Sequence, residues 1–209
     1  MPTTHLLYLH GFRSSPRSFK ARTVATLMAR DFPGVTWWCP QLPPSPAQAM
    51  QEIMAGVAAW TGSENFDRMA VIGSSLGGFY ATWMAEKMAC KAVLINPAVF
   101  PARDLQSYVG QQTGWHAPEQ TFYFQPSFIE ELRQLETGPL TAPHNCMAVI
   151  AKGDEVLDWR EMHNRYAGAN IRLLEGSNHA LDDFEAHLPA ILDFLDLSVE
   201  TSRPATPSA

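Results

Sequence analysis

Charged residues and cysteines are both scarce in this chain of 209 residues. Charged side chains make up 17% of the sequence, below the usual quarter, and the formal net charge is -6. The sequence lacks the block of basic residues that binds nucleic acid electrostatically or holds a chain on anionic lipid. Its three cysteines, Cys39, Cys90 and Cys146, are far apart and do not have metal-ligand spacing. We therefore expect reduced thiols, no metal, no nucleic-acid partner and no membrane partner.

Long apolar runs are missing as well. The longest stretch without a charged residue, 32–51, contains five prolines, and the next, 69–85, is interrupted by serines and glycines. Neither stretch could span a membrane as a helix. The first residues, Met-Pro-Thr-Thr-His, lack the charged start and apolar centre of a signal peptide. We therefore expect a soluble, cytoplasmic protein.

Short apolar segments alternate with longer helical patterns, which favours a parallel α/β sheet over a helical bundle or a β-sandwich. Most of these short segments show little polar alternation, as expected for strands covered by helices on both faces. The first helix is predicted to open at Ser15-Pro16, and the last to carry Pro189 in its first turn. The predicted strands are His5–Leu9, Val35–Cys39, Arg68–Ile72, Lys91–Ile95, Met147–Lys152 and Asn170–Leu174.

One segment, 98–143, interrupts the alternation after the fourth predicted strand and contains one predicted helix, Ser127–Leu135. A loop of this length inside a domain is usually functional, so we expect a lid-like insertion. The segment is rich in aromatic residues, which could instead pack on the edge of the sheet. We predict a single domain over residues 1–197 that includes this insertion, followed by a polar, disordered tail at 198–209.

The sequence Gly-Ser-Ser-Leu-Gly at 73–77 lies between a predicted strand and a predicted helix. This pattern is typical of a nucleophile elbow, a turn so tight that side chains two residues before and after the nucleophile would collide. Ser75 has Gly73 and Gly77 at those positions, whereas Ser74 has larger residues there. Ser75 is therefore the predicted nucleophile. A glycine-rich turn that serves only helix–strand packing is the alternative interpretation of this motif alone.

A serine nucleophile needs a base to take its proton, and the base needs an acid to orient it. In this type of fold the chain order is serine, acid, histidine, with the last two following strands. Asp154 follows the fifth predicted strand and His179 follows the sixth, so these two residues are the predicted acid and base. Asp158 and two later histidines fall among helix-forming residues, whereas Glu155 remains an alternative acid. The competing residues are Glu155, Asp158, His163 and His187.

Backbone N–H groups are expected to stabilise the oxyanion that forms on the attacked carbonyl. One such group follows the nucleophile, at Leu76, and the other lies in the loop after the first strand, at Phe12. Gly11 lets this loop approach closely, and we expect His10 to brace it through hydrogen bonds.

Five segments together resemble the small bacterial YqiA-like esterases of the α/β-hydrolase superfamily, and the resemblance extends to about Leu197. It implies an abridged α/β-hydrolase fold with six mainly parallel strands in the order 2-1-3-4-5-6 along the sheet. It also implies cofactor-free hydrolysis of short acyl esters or acyl-CoA thioesters, with Ser75, Asp154 and His179 as the triad. The segments are 8–19, 73–79, 95–98, 153–158 and 178–180.

We therefore predict a serine hydrolase that cleaves esters of small or apolar acyl groups through an acyl-enzyme, with a small acyl ester or thioester as its partner. A thioesterase or acyltransferase with the same triad is the first alternative, and a non-catalytic ligand-binding protein is the second. The aromatic insertion leaves the edge of the sheet where the triad is expected. Its residues Trp115 and Phe124 are therefore predicted to contact the acyl group and to disfavour charged acyl substrates.

Overall fold

The computed structural model describes residues 2–61, 68–116, 119 and 121–197; the tail predicted at 198–209 lies outside them. Its larger sheet has six parallel strands in the order β2-β1-β3-β4-β7-β8, and β5 and β6 form a separate antiparallel pair. Counted along the chain, the larger sheet has the expected order 2-1-3-4-5-6. The strands are β1 His5–Leu9, β2 Thr36–Trp38, β3 Met69–Ser74, β4 Lys91–Ile95, β5 Gly110–Thr113, β6 Thr121–Phe124, β7 Cys146–Ala151 and β8 Asn170–Leu174.

Helices cover both faces of this sheet, as predicted. The described helices are α1 Phe19–Asp31, α2 Pro46–Thr61, α3 Leu76–Met88, α4 Pro101–Asp104, α5 Pro126–Gln134, α6 Trp159–Arg165 and α7 Phe184–Phe194. Leu7 and Leu9 of β1 pack with α2 and α3, whereas Leu6 and Tyr8 pack with α1 and α7. Because alternate residues enter two different apolar clusters, the strand is apolar throughout. None of the described helices is long and apolar enough to cross a bilayer.

Two helix boundaries differ from the predictions. α1 begins at Phe19 with Ser18 as its N-cap, and not at Pro16, because residues 13–18 form a loop in which the Ser18 N–H donates to the Ser15 carbonyl. α7 begins at Phe184, so Pro189 lies inside the helix and not in its first turn. The side chain of Phe184 is fully buried, and this burial extends the helix towards its N-terminus despite the proline.

The insertion at 98–143 contains more regular structure than its sequence predicts. Besides α5, which matches the predicted helix, it has the short helix α4 and the hairpin of β5 and β6, in which Gly110 pairs with Phe124. Phe128, Ile129 and Leu132 of α5 are buried in the same apolar cluster as α2 and α3. The insertion is therefore packed, through α5, against the helical layer formed by α2 and α3.

Candidate active site

The backbone turns sharply at Ser75, between β3 and α3. Its φ and ψ are 56° and -120°, a strained conformation for a residue with a side chain. The Ser75 N–H donates to the Ile95 carbonyl at 2.9 Å, and the Ser75 carbonyl accepts from the Ala98 N–H at 3.0 Å. The chain that follows β4 therefore holds the turn from one side and stabilises the strained conformation.

Glycines make this turn possible. A Cβ atom on Gly73 would collide with the carbonyl of Gly77, and one on Gly77 would collide with the carbonyl of Leu9. A Cβ atom on Gly11 would lie 3.1 Å from the Cβ atom of Ser75, so the loop after β1 passes directly beside the serine. These contacts explain why the nucleophile needs a glycine two residues away on each side. Ser75 meets this condition and Ser74 does not.

The side chains of Ser75, His179 and Asp154 form one hydrogen-bonded series. His179 Nε2 lies 3.1 Å from Ser75 Oγ, and His179 Nδ1 lies 2.7 Å from Asp154 Oδ2. Asp154 Oδ1 accepts the N–H groups of Val156 and Leu157, both at 2.8 Å, and its side chain is 0% exposed, against 21% for His179. Because Nδ1 faces a carboxylate, it carries the ring proton and leaves Nε2 as the acceptor that faces the serine hydroxyl.

The competing acids make different contacts. Glu155 accepts the backbone N–H of His179 at 3.0 Å and does not bond the ring, so the structure brings Asp154 to the imidazole and not Glu155. Asp158 was expected inside the next helix, but it is the N-cap of α6 and accepts the Arg160 N–H at 2.9 Å. A cap at this position uses its carboxylate on the first turn of the helix.

The competing histidines lie away from the serine. His163 belongs to α6, where its ring packs edge-on against Trp159. His187 belongs to α7, where it bonds Asp183 one turn earlier at 3.1 Å. These contacts are the ordinary helical environments that the sequence predicts for both residues.

His10 braces the loop after β1, as predicted. Burial lowers its pKa to about 4, so the ring is neutral near pH 7. Nε2 accepts the Leu42 N–H at 3.1 Å, which leaves Nδ1 to donate to the Gly11 carbonyl at 3.0 Å. The loop that carries Phe12 is therefore fixed to the segment after β2.

Asn96 is a positioning residue, a function that the sequence does not predict for it. Its fully buried amide donates to the carbonyls of Asn178 and His179, at 3.0 and 3.1 Å, and accepts the Ala151 N–H at 2.8 Å. These bonds join the ends of β4 and β7 to the loop that carries His179. The available signal was a polar residue with a proline after it, directly following an apolar strand.

Two cavities flank Ser75 and meet at the loop 10–14. The histidine-side cavity, of about 320 Å³, is lined by Ser75 and His179 among others, and the leucine-side cavity, of about 350 Å³, is lined by Phe12 and Leu76 among others. Leu76 is the first residue of α3, so its N–H has no acceptor within the helix. Phe12 lines both cavities and Leu76 lines the leucine-side one, so both predicted oxyanion donors belong to residues that border the leucine-side cavity.

Trp115 and Phe124 have different environments. Trp115 is 66% exposed, lines the histidine-side cavity and lies under the Arg13 guanidinium at 4.3 Å. Phe124 is 1% exposed, with its ring packed 5.1 Å from Phe12, so the structure does not place it where it could touch a substrate. The reason is its position on the inward face of β6. Phe122, two residues earlier on the same face, lines the leucine-side cavity instead.

Within the described ranges, no group of three histidine, cysteine or acidic side chains is arranged to hold a metal ion.

This chain is similar in sequence to one group of known proteins and similar in fold to another. A UPF0227 protein from Shewanella baltica (strain OS155) is 22% identical over 191 residues, which cover 90% of this chain and 98% of the relative. The structure of mouse alpha/beta hydrolase domain-containing protein 10 has a TM-score of 0.68 at 15% identity, with 92% of this chain and 91% of that chain covered. A structure reported for the metagenome-derived lipolytic enzymes LipS and LipT has a TM-score of 0.66 at 19% identity, with 93% and 94% covered.

These structural likenesses establish the fold, which is that of the α/β-hydrolase superfamily, as the sequence resemblance implies. The family assignment comes from a model described as "Uncharacterised protein family (UPF0227)", which matches residues 5–196. The chain therefore belongs to the UPF0227 family.

Proposed function

We propose that this protein is a serine hydrolase that cleaves carboxylic esters of small or apolar acyl groups. The observation that carries the proposal is the hydrogen-bonded series from Asp154 through His179 to Ser75, with distances of 2.7 and 3.1 Å, at a strained turn. A serine in a turn kept only for packing has no need of a histidine and a buried carboxylate in line with its hydroxyl.

In the proposed reaction, Ser75 Oγ attacks the ester carbonyl while His179 Nε2 takes the hydroxyl proton. The N–H groups of Phe12 and Leu76 stabilise the oxyanion of the tetrahedral intermediate. His179 then gives its proton to the leaving alcohol oxygen, and the carbon–oxygen bond of the ester breaks. Water, deprotonated by the same nitrogen, attacks the acyl-enzyme and releases the acid and free Ser75.

The position of His179 assigns the two cavities to the two parts of the ester. The leaving oxygen must lie beside Nε2, so the alcohol occupies the histidine-side cavity and the acyl group occupies the leucine-side cavity. The latter has Phe12, Leu42, Tyr80 and Phe122 in its lining, which favours an apolar acyl group. Each methylene that leaves water there contributes about 0.8 kcal/mol of binding.

Labelling and turnover together test this proposal. We expect a fluorophosphonate probe to label the protein stoichiometrically, and p-nitrophenyl esters from acetate to octanoate to be hydrolysed, with butyrate faster than acetate. A ligand-binding protein of this fold would give neither label nor turnover. The matched butyryl thioester serves as the comparison substrate, and a much higher kcat/KM for it would change the proposed leaving group to a thiol.

Replacing Phe124 by alanine should lower stability, whereas replacing Trp115 by alanine should change KM in a substrate-dependent way. Phe124→Ala leaves a cavity in the core and is expected to cost about 3–5 kcal/mol of stability, so that all substrates suffer alike. Trp115→Ala removes an exposed ring, so stability should change by less than about 0.5 kcal/mol. Trp115 lines the histidine-side cavity, which in this proposal holds the alcohol and not the acyl group that the sequence predicts Trp115 to contact. Its loss should therefore raise KM for p-nitrophenyl butyrate more than for ethyl butyrate. Thermal melting and KM for the two esters check this, and an equal rise in both KM values would contradict it.

A further inference from the structure

Two of the side chains that line the histidine-side cavity have a polar atom without a hydrogen-bond partner in the part of the chain that the structure describes. Ser18 Oγ and His116 Nδ1 are both buried, and neither has a hydrogen-bond partner among the described residues. Ser18 is the N-cap of α1, yet its side chain does not bond the first turn of that helix. Because nearly all buried polar atoms in proteins are bonded, two unpaired ones beside the same cavity indicate side chains that turn towards a ligand and bond it. Ser18 lines the histidine-side cavity alone, whereas His116 lies between the two cavities and lines both.

A lysine lines the same cavity. Lys20 is half-buried, and its ammonium donates to the Ala180 carbonyl, in the loop after His179. In the part of the chain that the structure describes, no carboxylate lies within ion-pair distance of this ammonium. Two of its three N–H groups therefore remain available to an acceptor in the cavity.

The surrounding charge also favours an anion. The segment 13–22 carries four cationic residues and no acidic one, in a chain whose net charge is -6, although they are too widely spaced to form a basic block. Burial, followed by the charges of Arg22 and Arg17, lowers the pKa of His116, so these two charges act on the cavity. The N-terminus of α1, at Ser18 to Lys20, borders the cavity, and a helix N-terminus attracts negative charge.

Two carboxylates lie near Lys20 without pairing with it. Asp182 lines the cavity, but its carboxylate accepts the Asn178 amide at 2.8 Å. Asp154 is not among the lining residues, and its carboxylate bonds the His179 ring. Both interact with Lys20 electrostatically at longer range and favour its charged form. They keep the lysine protonated without occupying its free donors.

We propose that the histidine-side cavity binds an anionic group on the leaving alcohol, a carboxylate or a phosphate-type oxyanion, through Lys20, Ser18 and His116. This inference rests on the proposed ester hydrolysis and specifies its substrate class: an apolar acyl group joined to an acidic alcohol. The negative charge lies within a few atoms of the scissile bond, because Lys20 and Ser75 line the same cavity of about 320 Å³.

Matched butyrate esters test the proposal. 4-Carboxyphenyl butyrate and 4-phosphonophenyl butyrate carry the charge on the alcohol, 4-carboxamidophenyl butyrate is the neutral counterpart, and p-nitrophenyl hemiglutarate carries the charge on the acyl side. We expect Lys20→Met to lower the anionic-to-neutral ratio of kcat/KM about tenfold for alcohol-side charge. The ratio is measured separately for the carboxylate ester and the phosphonate ester. Whichever ratio falls more in Lys20→Met identifies the type of anion that the cavity binds. No such loss is expected for the hemiglutarate relative to p-nitrophenyl valerate.

Control variants separate recognition from support of the loop. Lys20→Arg should keep most of the preference for the anionic esters. Lys87→Met removes an exposed charge on α3 that does not line the cavity, so it should leave the ratio unchanged. A fall of both anionic and neutral rates by the same factor in Lys20→Met would overturn the proposal, because Lys20 would then act only through the Ala180 carbonyl. A loss confined to the hemiglutarate would overturn the assignment to the alcohol side.

The pH dependence of the ratio is an independent readout. Burial lowers the pKa of Lys20 to about 8, against the opposing effect of Asp182 and Asp154. The ratio of kcat/KM for 4-carboxyphenyl butyrate to that for the neutral amide should therefore change little near pH 7 and fall as the pH rises through 8, because the lysine loses its charge while the carboxylate stays ionised. Groups that act on the chemical step itself change both rates by the same factor and cancel in the ratio. Burial, followed by the charges of Arg22 and Arg17, lowers the pKa of His116, so this ring stays neutral above pH 7. A flat ratio up to pH 9.5 would count against Lys20.

Failure of ester hydrolysis itself remains distinguishable from failure of this inference. If the wild-type protein hydrolyses no ester, binding of 4-hydroxybenzoate and 4-hydroxybenzamide by calorimetry reports on the cavity directly. Tighter binding of the anion by about tenfold, lost in Lys20→Met, would support the anion site, and equal binding of the two phenols would overturn it.

Discussion

Replacing Ser75 by alanine is expected to lower kcat/KM for p-nitrophenyl butyrate by about 10⁴-fold or more. The substitution removes the oxygen that lies 3.1 Å from His179 Nε2 and leaves no other hydroxyl in line with that nitrogen at the turn. The fold should survive, because Ser75 holds the turn through its backbone N–H and carbonyl, which alanine retains. Stopped assays with purified protein, together with fluorophosphonate labelling, measure the loss.

Ser74→Ala is the matched control, since it removes a hydroxyl one residue away. The Ser74 side chain lines the histidine-side cavity together with Tyr8, but His179 Nε2 faces Ser75 Oγ, so the loss of the Ser74 hydroxyl should leave most of the activity and the labelling intact. Thermal melting of both variants verifies that they are folded. Comparable losses of activity in the two variants would exclude Ser75 as the nucleophile.

Asp154→Asn is expected to reduce kcat by roughly 10³- to 10⁴-fold, although the side chain keeps its shape. In the wild-type protein, Oδ1 accepts two backbone N–H groups, from Val156 and Leu157. The amide oxygen of an asparagine must take this place, because an NH₂ group there would face two donors. The NH₂ group then points at His179 Nδ1 and forces the ring proton onto Nε2, which can no longer accept a proton from Ser75.

Glu155→Gln provides the comparison for this second prediction. Glu155 accepts only the backbone N–H of His179, and the glutamine oxygen can still do so, so kcat should stay within about threefold of wild type. Equal losses in the two variants, or a loss below about tenfold in Asp154→Asn with an unchanged melting temperature, would contradict the assignment of Asp154 as the orienting acid.

The sheet and the triad candidates were predictable because local rules determine them. Apolar segments bounded by turns locate every strand of the larger sheet to within two residues, and the steric demand of the elbow singles out Ser75. The hairpin was not predictable, because β5, Gly-Gln-Gln-Thr, has no apolar alternation. It forms against β6, whose Phe122 and Phe124 pack against Phe12 of a distant segment.

The roles of Asn96 and Lys20 could not be predicted for a related reason. Asn96 bonds residues more than 50 positions away, and Lys20 bonds Ala180, 160 positions away. The motif order that links Ser75, Asp154 and His179 contains no position for Asn96 or Lys20, and no periodicity connects either residue with its partners. Their significance depends on the three-dimensional meeting of strand ends, which only the folded structure shows.

The sequence Asn96-Pro97 has a consequence for the chemical ageing of this protein. Asparagine deamidates when the backbone nitrogen of the next residue attacks the side-chain amide, and proline has no N–H with which to form that ring. Conversion of Asn96 to aspartate would set a carboxylate against the carbonyls of Asn178 and His179, which now accept its N–H groups. The proline at 97 therefore protects the amide that positions His179 from slow chemical damage over the life of the molecule.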